Sequence, residues 1–157
     1  MKIRPTRFDD MPPLRIVLDE TGLFPSDLLP DLLSNFLHEV GNNEIWLTAE
    51  IQEKVVGFCY AVQEKLTVGT WNMLAIAMLP SRQGDGIGGE LVRELELLLR
   101  KRGNRVVIVE TSGTGQFAQT RKFYRNCGYT EEARIRDFWA VGDDKVIFWK
   151  SLALASI

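Results

Sequence analysis

Apolar residues recur along this chain at two spacings, and each spacing predicts a different element. Spacings of three and four residues predict amphipathic helices, and short runs rich in β-branched and aromatic residues between polar turns predict strands. The predicted strands are Lys2–Thr6, Ile45–Ile51, Val55–Leu66, Trp71–Leu79, Arg105–Glu110, Tyr129–Ala140 and Lys145–Leu152. The predicted helices are a segment capped by Asp9 or Asp10 and ending near Thr21, a segment from Leu28 to Val40 ending near Gly41, a segment after Pro80 ending at Gly103, and Phe117–Asn126.

The resulting order, β-α-α-β-β-β-α-β-α-β-β, predicts the α/β class in its mixed α+β form. We expect a central, mostly antiparallel mixed sheet with helices on both faces. The three strands between Ile45 and Leu79 follow one another through short polar turns, which favours an antiparallel meander. Arg105–Glu110 is almost continuously apolar, as is typical of a strand that is buried on both faces.

The chain has 157 residues without repeats or linker-like tracts, so one domain spanning residues 1–157 is expected. A net charge of −2 gives no support for nucleic acid or an anionic membrane as partner. The sequence shows neither a signal-type N-terminus nor a run of about 18 apolar residues, which predicts a cytoplasmic protein. Cys59 and Cys127 fit no metal spacing and no disulfide framework, so no metal is expected.

The most informative segment is a glycine-rich loop between a predicted strand and a predicted helix. Four glycines occur within six residues, in the run Pro80-Ser81-Arg82-Gln83-Gly84-Asp85-Gly86-Ile87-Gly88-Gly89. Glycines expose backbone N–H groups, and a helix N-terminus adds partial positive charge, so the segment predicts an anion site suited to phosphate. The alternative is that the glycines only form a tight turn.

Two well-known phosphate motifs can be compared with this loop. The mononucleotide P-loop requires Lys-Ser or Lys-Thr after its last glycine, whereas Glu90-Leu91 follows here. The dinucleotide pattern G-x-G-x-x-G is matched by Gly84, Gly86 and Gly89, with Glu110 near the expected ribose-binding position. However, four residues separate the strand from the first glycine, and too few residues follow Glu110 to complete a dinucleotide fold. A dinucleotide-binding protein therefore stays as the lesser alternative.

A third pattern fits better and extends beyond the loop. Gln83, Gly86 and Gly88 match Q/R-x-x-G-x-G/A, the pyrophosphate loop of the GNAT superfamily of N-acetyltransferases. Further along, Phe123-Tyr124-Arg125-Asn126-Cys127-Gly128-Tyr129 looks like the F/L-Y-x-x-x-G-F/Y signature of that family. The two motifs occur in the family's order, and the resemblance covers about Trp71 to Leu152.

The resemblance implies acetyl-CoA as cosubstrate, bound where the fourth and fifth strands splay apart. The acceptor amine would then attack the thioester directly, so the protein supplies orientation, donors for the oxyanion and proton management. Backbone groups of Ile76, Ala77 and Met78 would hold the pantetheine and polarise the carbonyl. The pyrophosphate would be bound by the loop residues Gln83, Gly84, Asp85, Gly86, Ile87, Gly88 and Gly89.

The same resemblance implies that Tyr124 protonates the departing thiolate. Some relatives use a glutamate of the fourth strand as the base, but Asn72 aligns with it here, and an amide is a poor proton acceptor. Glu110, at the end of the fifth strand, is therefore the candidate base, unless it pairs with Arg121 or another cation. The choice stays open, because Glu64, Asp143 or Asp144 could serve instead.

Several residues depart from the family pattern or have a plainer interpretation. Asp85 puts a carboxylate into the phosphate loop, where it could cap the helix, and Phe117 replaces an asparagine that contacts the cofactor in many relatives. The single histidine, His38, reads as a helix-surface residue rather than a base. The tryptophans Trp46, Trp71, Trp139 and Trp149 read as strand residues of the core, with Trp139 a candidate for an acceptor pocket.

The acceptor is predicted only as a class, a small-molecule or peptide amine. Asp143, Asp144, Glu20 and Asp27 could attract a cationic amine, although acidic residues are also common in turns. The loss of the strand glutamate leaves a non-catalytic CoA-binding module as the alternative from another class. Relatives are often dimers, and an exposed strand edge near the C-terminus could pair two copies.

Overall fold

The computed structural model describes residues 1–38 and 43–153. Four helices and seven strands occur in these residues, in the predicted order. The helices are α1 (Met11–Thr21), α2 (Leu29–Leu37), α3 (Ile87–Lys101) and α4 (Ala118–Asn126). The strands are β1 (Lys2–Pro5), β2 (Glu44–Ile51), β3 (Lys54–Gln63), β4 (Thr70–Met78), β5 (Val106–Ser112), β6 (Thr130–Ala140) and β7 (Asp143–Ser151).

The strands form one sheet in the order β1-β2-β3-β4-β5-β7-β6. The pairs β1/β2, β2/β3, β5/β7 and β6/β7 are antiparallel. The pair β4/β5 is parallel and joins Thr70–Asn72 to Val106–Ile108. The predicted fold class, a mixed α+β chain with a mostly antiparallel sheet, is confirmed.

The described residues divide into two compact units. The N-terminal unit consists of Met1–Val62 and Leu74–Leu98, and the C-terminal unit consists of Gln63–Met73 and the described residues from Leu99 onward. Strand β4 and helix α3 each contribute residues to both units.

The core of the N-terminal unit forms where α1 and α2 pack on the aromatic residues of β2 and β3. Trp46 stacks on Tyr60 with ring centroids 4.1 Å apart and on Phe58 at 5.6 Å. Leu14 and Leu33 are completely buried in the same cluster, so the apolar faces of the two helices point inward as their spacing predicts.

Beside this core lies a polar network, which we call the Arg4 network, formed by Arg4, Asp10 and Glu50. Arg4 donates to both carboxylate oxygens of Asp10, at 2.7 and 2.8 Å, and through Nε to Glu50 at 3.0 Å. Asp10 also accepts the Arg7 N–H at 2.7 Å. Asp10 therefore occupies the N-cap position of α1 as predicted, but its carboxylate makes no cap bond to that helix and binds Arg4 and the Arg7 N–H instead.

The C-terminal unit has a sheet with two different faces. Val107, Val109 and Phe148 are buried on one face, where the ring of Tyr124 from α4 lies 5.5 Å from that of Phe148; we call this the α4 face. Neighbouring residues on a strand point to opposite sides, so Ile108 and Glu110 lie on the other face, which we call the Glu110 face. Ile108, Glu110 and Ile147 on this second face are half-buried.

Some element ends and burial predictions differ from the structure. The second helix ends at Leu37, and its predicted end at Val40 and Gly41 lies outside the described residues. The core prediction holds for Trp46 and Trp71 and is wrong for Trp139 and Trp149, which are 49% and 37% exposed. Within the described parts of the chain, no helix is long and apolar enough to cross a membrane.

Candidate active site

The glycine loop of the N-terminal unit has a backbone that side chains would not tolerate. A short turn, Pro80–Arg82, follows β4, and α3 begins at Ile87. Gly84 and Gly86 adopt φ angles of +89° and +79°, where an L side chain is strained. A Cβ at either position would have no atom within 4 Å. Glycine at these two positions therefore lets the backbone adopt this turn without strain and leaves open space beside the loop.

Several backbone donors of the loop are left without a backbone acceptor among the described residues. Glu90 donates to the Gly86 carbonyl at 3.2 Å as the first helical bond of α3. Within residues 1–38 and 43–153, no backbone acceptor is assigned to the N–H groups of Gly84, Gly86, Gly88 and Gly89. The N-terminal end of a 15-residue helix adds partial positive charge. This arrangement fits an anionic group such as a pyrophosphate.

Two other loop residues keep their N–H groups inside the loop. Gln83 donates to the Pro80 carbonyl and Asp85 to the Arg82 carbonyl, both at 3.3 Å. The Asp85 carboxylate lies 3.7 Å from Nη1 of Arg82, and about half of each side chain is exposed. The acidic residue in the loop thus sits beside a cation of the same loop, which offsets part of its repulsion toward an anion.

The end of β4 lies close to β3. Ala77 is buried, and a Cβ placed on Gly57 would lie 2.7 Å from the Ala77 carbonyl oxygen and 3.1 Å from the Met78 Cβ. Leu79 donates to the Val56 carbonyl at 2.8 Å, which fixes the point where the strand leaves the sheet. Ile76 and Met78 are half-buried. Gly57 therefore permits the close approach that positions the segment Ile76–Met78.

Tyr124 lies in the C-terminal unit and is only 5% exposed. Its ring contacts Phe123, Tyr129 and Phe148, with centroids 5.3, 6.2 and 5.5 Å away. The carbonyl of Tyr124 accepts the N–H of Tyr129 at 3.0 Å as α4 ends at Asn126. These contacts hold the side chain in one orientation on the α4 face.

Glu110 is an ion-paired carboxylate. Its Oε1 lies 2.9 Å from Nζ of Lys145, and the two side chains are 24% and 12% exposed. The Lys145 ammonium also lies 4.1 Å from the ring centroid of Phe138 and 5.8 Å from that of Trp139. A cation beside Glu110 was expected from the sequence, with Arg121 as the named candidate, but Arg121 instead donates to the carbonyls of Ser112 and Thr114.

The structure does not bring Tyr124 and Glu110 to the same face of the sheet. Glu110 pairs with Ile147 across β5 and β7, whereas Tyr124 packs on the next residue, Phe148. Successive strand residues alternate between faces, so the two candidate catalytic side chains lie on opposite sides. An acid and a base that serve different atoms of a reaction need not touch each other.

The acidic residues of the β6–β7 hairpin already have partners. Ser112 donates to Asp143 at 2.5 Å, and Asp144 accepts the N–H of Asp137 at 2.9 Å and lies 3.6 Å from Nη1 of Arg134. Asp27, near the helix connection, pairs with Arg15 at 3.1 Å. These acids are therefore partly neutralised by groups of the chain itself.

The structure places two carboxylate contacts that the sequence analysis missed. Lys145 beside Glu110 is one, and the other is a bond of 3.0 Å from Nδ2 of Asn72 to Oε1 of Glu64. Asn72 is 3% exposed, and its Oδ1 has no hydrogen-bond partner among the described residues. A sequence signal existed for the second contact, because Glu64 and Asn72 flank one short turn of the predicted meander.

The remaining candidates have structural roles. His38 lies exposed at the end of α2 with its Nδ1 2.7 Å from the Ser34 carbonyl oxygen. Burial raises the pKa of the Cys59 thiol to about 12, as expected for a core cysteine. Among the residues that the structure describes, no group of three or more His, Cys, Asp or Glu side chains could hold a metal ion.

Comparison with known proteins identifies the family. No curated protein sequence matches the chain significantly. A GNAT-family protein from Desulfovibrio desulfuricans is 29% identical, with a TM-score of 0.90 over 97% of this chain and 99% of that one. An aminoglycoside 6'-N-acetyltransferase complexed with coenzyme A is 19% identical, with a TM-score of 0.81 over 100% of both chains. The ribosomal-protein-S18-alanine N-acetyltransferase from Escherichia coli is 18% identical, with a TM-score of 0.79 over 99% of this chain and 96% of that one.

The similarity to the aminoglycoside and the S18-alanine acetyltransferases, at 19% and 18% identity, shows only that the fold is shared. The model of the acetyltransferase (GNAT) domain matches residues 42–131, which is more than half of the chain and includes both the glycine loop and Tyr124. The chain therefore belongs to the GNAT family of acetyltransferases.

Proposed function

We propose that this GNAT acetyltransferase moves the acetyl group of acetyl-CoA to a primary amine by direct attack of the amine on the thioester. The observation that carries the proposal is the open glycine loop at the start of α3, where unbonded N–H groups meet the positive end of a helix. A coenzyme A phosphate is the anion that a member of this family would bring to such a loop. The aminoglycoside acetyltransferase that shares the fold was solved with coenzyme A.

The cosubstrate would contact two segments of the N-terminal unit. The N–H groups of Gly84, Gly86, Gly88 and Gly89 would donate to the pyrophosphate, and Ile87 would support them from the core, where it is 1% exposed. Gln83 would contribute through its side-chain amide, since its N–H group is used within the loop, whereas the Asp85 carboxylate would oppose the pyrophosphate except where Arg82 offsets its charge. Backbone groups of Ile76–Met78 would hold the pantetheine and polarise the thioester carbonyl.

Tyr124 would act as the general acid. Its buried side chain is held by three aromatic rings, and a tyrosine hydroxyl in a fixed position can give its proton to a departing thiolate. Glu110 stays a prediction as the base. Its carboxylate lies 2.9 Å from the Lys145 ammonium, so an acceptor amine would have to displace that contact to reach this oxygen.

The acceptor would be a primary amine on a small molecule or a peptide. The two named neighbours act on an aminoglycoside and on the alanine of ribosomal protein S18, which shows that this fold accommodates both kinds of acceptor. We further propose that residues 1–157 work as one domain in the cytoplasm, alone or as a homodimer. Among the described residues, Cys59 and Cys127 form no disulfide, which suits a reducing compartment.

The first test is calorimetric titration of the protein with acetyl-CoA and with NADH, followed by the same titration of Gly86→Glu. We expect micromolar binding of acetyl-CoA, no binding of NADH, and at least about 100-fold weaker binding by the variant, which adds bulk and negative charge where donors should meet phosphate.

Gly103→Glu is the matched control, because Gly103 has a φ of +80° and equally open surroundings at the other end of α3. If both variants lost the same acetyl-CoA affinity, the loss would come from backbone strain at the substituted glycine and not from a disturbed phosphate site. Binding of NADH in place of acetyl-CoA would overturn the proposal in favour of a dinucleotide. Binding of acetyl-CoA without transfer to any primary amine would favour the non-catalytic CoA-binding module.

The role of Tyr124 is tested by Tyr124→Phe, with free-thiol release as the assay. We expect kcat to fall about 100-fold while the affinity for acetyl-CoA stays unchanged, because only the proton donor is removed. Tyr60→Phe, which removes a hydroxyl from the core of the other unit, is the control and should keep its kcat. An unchanged kcat in Tyr124→Phe would exclude the acid role.

A further inference from the structure

The four carboxylates that could serve as the base differ in the chemical group that lies beside each of them. Glu110 faces the Lys145 ammonium at 2.9 Å, Asp144 faces the Arg134 guanidinium at 3.6 Å, and Asp143 accepts a bond of 2.5 Å from Ser112. Glu64 faces a neutral amide, Nδ2 of Asn72, at 3.0 Å. Glu110 and Asp144 thus face cations, whereas Glu64 and Asp143 accept from neutral donors, so the choice between Glu64 and Asp143 depends on what else surrounds each of them.

Asn72 carries a second observation that points to a ligand. The residue is 97% buried, since only 3% of it is exposed, and its Nδ2 is committed to Glu64. Its Oδ1 is buried without a hydrogen-bond partner among the described residues. A buried polar atom without a partner costs stability, and such atoms in native proteins need a reason. An N–H donor supplied by a substrate would satisfy this oxygen.

The main chain holds Glu64 in a fixed place. Its N–H donates to the Thr70 carbonyl at 2.9 Å, and its own carbonyl accepts the Thr67 hydroxyl at 2.7 Å. Both bonds close the turn between β3 and β4, so the carboxylate projects from a rigid hairpin end rather than from a loose loop. A catalytic carboxylate needs such support to keep its position.

Asn72, the partner of Glu64, lies where the parallel pairing of β4 with β5 ends. Asn72 and Ile108 are the last residues of the parallel β4–β5 pairing, and paired residues point to the same face. Asn72 therefore lies on the Glu110 face, and Tyr124 lies on the α4 face. A base on one face and an acid on the other can serve the incoming amine and the leaving sulfur separately.

We propose that Glu64 is the base that takes the proton from the acceptor amine and that Asn72 is its positioning residue. The inference rests on the proposed function. The amine nitrogen forms the new C–N bond to the acetyl carbon, the C–S bond breaks, the amine proton passes to Glu64, and the thiolate takes a proton from Tyr124. Exchange with water restores both side chains, so one amine and one thioester give one amide and one thiol.

The test compares the pH dependence of kcat/KM in the wild type, Glu64→Gln and Glu110→Gln between pH 6 and 10. The acceptors are kanamycin and a short peptide with an N-terminal alanine, and the assay follows free thiol. We expect Glu64→Gln to lower kcat/KM about 100-fold across this pH range, with acetyl-CoA affinity unchanged. Glu94→Gln, an exposed carboxylate on α3, is the matched control and should retain the wild-type profile.

The role of Asn72 is tested by Asn72→Leu, which removes the amide and keeps the volume. A positioning role predicts that kcat falls about 10-fold with KM unchanged and that the melting temperature does not fall, because an unsatisfied buried oxygen is removed as well. A fall in melting temperature with an unchanged kcat would show a purely structural role.

The outcomes separate the two proposals. Transfer by the wild type together with an unchanged Glu64→Gln profile overturns only the role of Glu64, and a profile altered in Glu110→Gln alone assigns the base to Glu110. Absence of transfer by the wild type to either acceptor, with acetyl-CoA bound or not, overturns the proposed function and this inference with it.

Discussion

Two polar regions of the N-terminal unit contrast sharply, the Arg4 network and the glycine loop. In the Arg4 network every charged group faces a partner, and both Arg4 and Asp10 are almost completely buried. In the glycine loop, Gly84 and Gly86 have no atoms within 4 Å of a Cβ position, and their N–H groups have no acceptor within the described chain.

The contrast separates stability from binding. A satisfied buried network contributes to folding and offers nothing to a ligand, because its donors and acceptors are already used. An unsatisfied loop contributes little to folding, and its free donors are available to a ligand. Variants of the two regions should therefore affect different measurements: unfolding for the Arg4 network and acetyl-CoA affinity for the loop.

The largest effect on stability is expected for Asp10→Asn. The amide cannot replace two charge-assisted bonds and leaves Glu50 as the one charged partner of the buried Arg4 among the described residues, so we expect a loss of about 3 kcal/mol in the free energy of unfolding. Denaturant unfolding measures it, and Asp9→Asn, at the exposed neighbouring position, is the control. Acetyl-CoA affinity of the folded variant should stay unchanged. A loss below about 0.5 kcal/mol would contradict the importance of the Arg4 network.

The same carboxylate gives a pH prediction. Burial raises the pKa of Asp10, but the hydrogen bonds from Arg4 and from the Arg7 N–H lower it more, so the folded pKa lies below the usual value. A lowered pKa means that the stabilisation is present above about pH 4 and is lost as the pH falls through the folded pKa. The difference in unfolding free energy between wild type and Asp10→Asn should shrink as the pH falls below about 4. A constant difference down to pH 2 would contradict this linkage.

A smaller effect, on both the free energy of unfolding and the acetyl-CoA affinity, is expected for Gly57→Ala. The added methyl would lie 2.7 Å from the Ala77 carbonyl oxygen, which is backbone and cannot swing away, so β3 and the end of β4 must separate. We expect a loss of about 2 kcal/mol in stability and weaker acetyl-CoA binding. Gly115→Ala, where nothing lies within 4 Å of the added methyl, is the control. Unchanged stability in Gly57→Ala would show that this contact is not close.

Local patterns predicted the elements well, because periodicity and turn residues act over short stretches of chain. The order of all eleven elements and the strand–loop–helix around Gly84 and Gly86 follow from such patterns. The role of Asp10 did not follow, since one partner, Arg4, lies on another element and Arg4 in turn binds Glu50, 46 residues away. An N-cap was the only local reading of that aspartate.

The surroundings of the candidate catalytic groups depend on strand register. Lys145 reaches Glu110 because β5 and β7 pair antiparallel, with Ser112 opposite Lys145 and Ile147 opposite Glu110. One residue of slip would put the lysine on the other face. The sequence therefore predicted a carboxylate at the end of β5 but could not predict its partner.

The smallest effect is expected for Asp85→Asn, which makes the loop more favourable to an anion. Removing the carboxylate frees Arg82 and takes one negative charge from the phosphate site, so acetyl-CoA affinity should rise about two- to threefold at low salt. The gain should disappear near 1 M salt, where exposed charges are screened. Asp27→Asn breaks the comparably exposed pair with Arg15 and should leave affinity unchanged. Weaker binding by Asp85→Asn in the same calorimetric titration would show that the Arg82–Asp85 pair orders the loop. The glycine loop would then depend on a stabilising ion pair at this residue, and the contrast with the Arg4 network would not hold there.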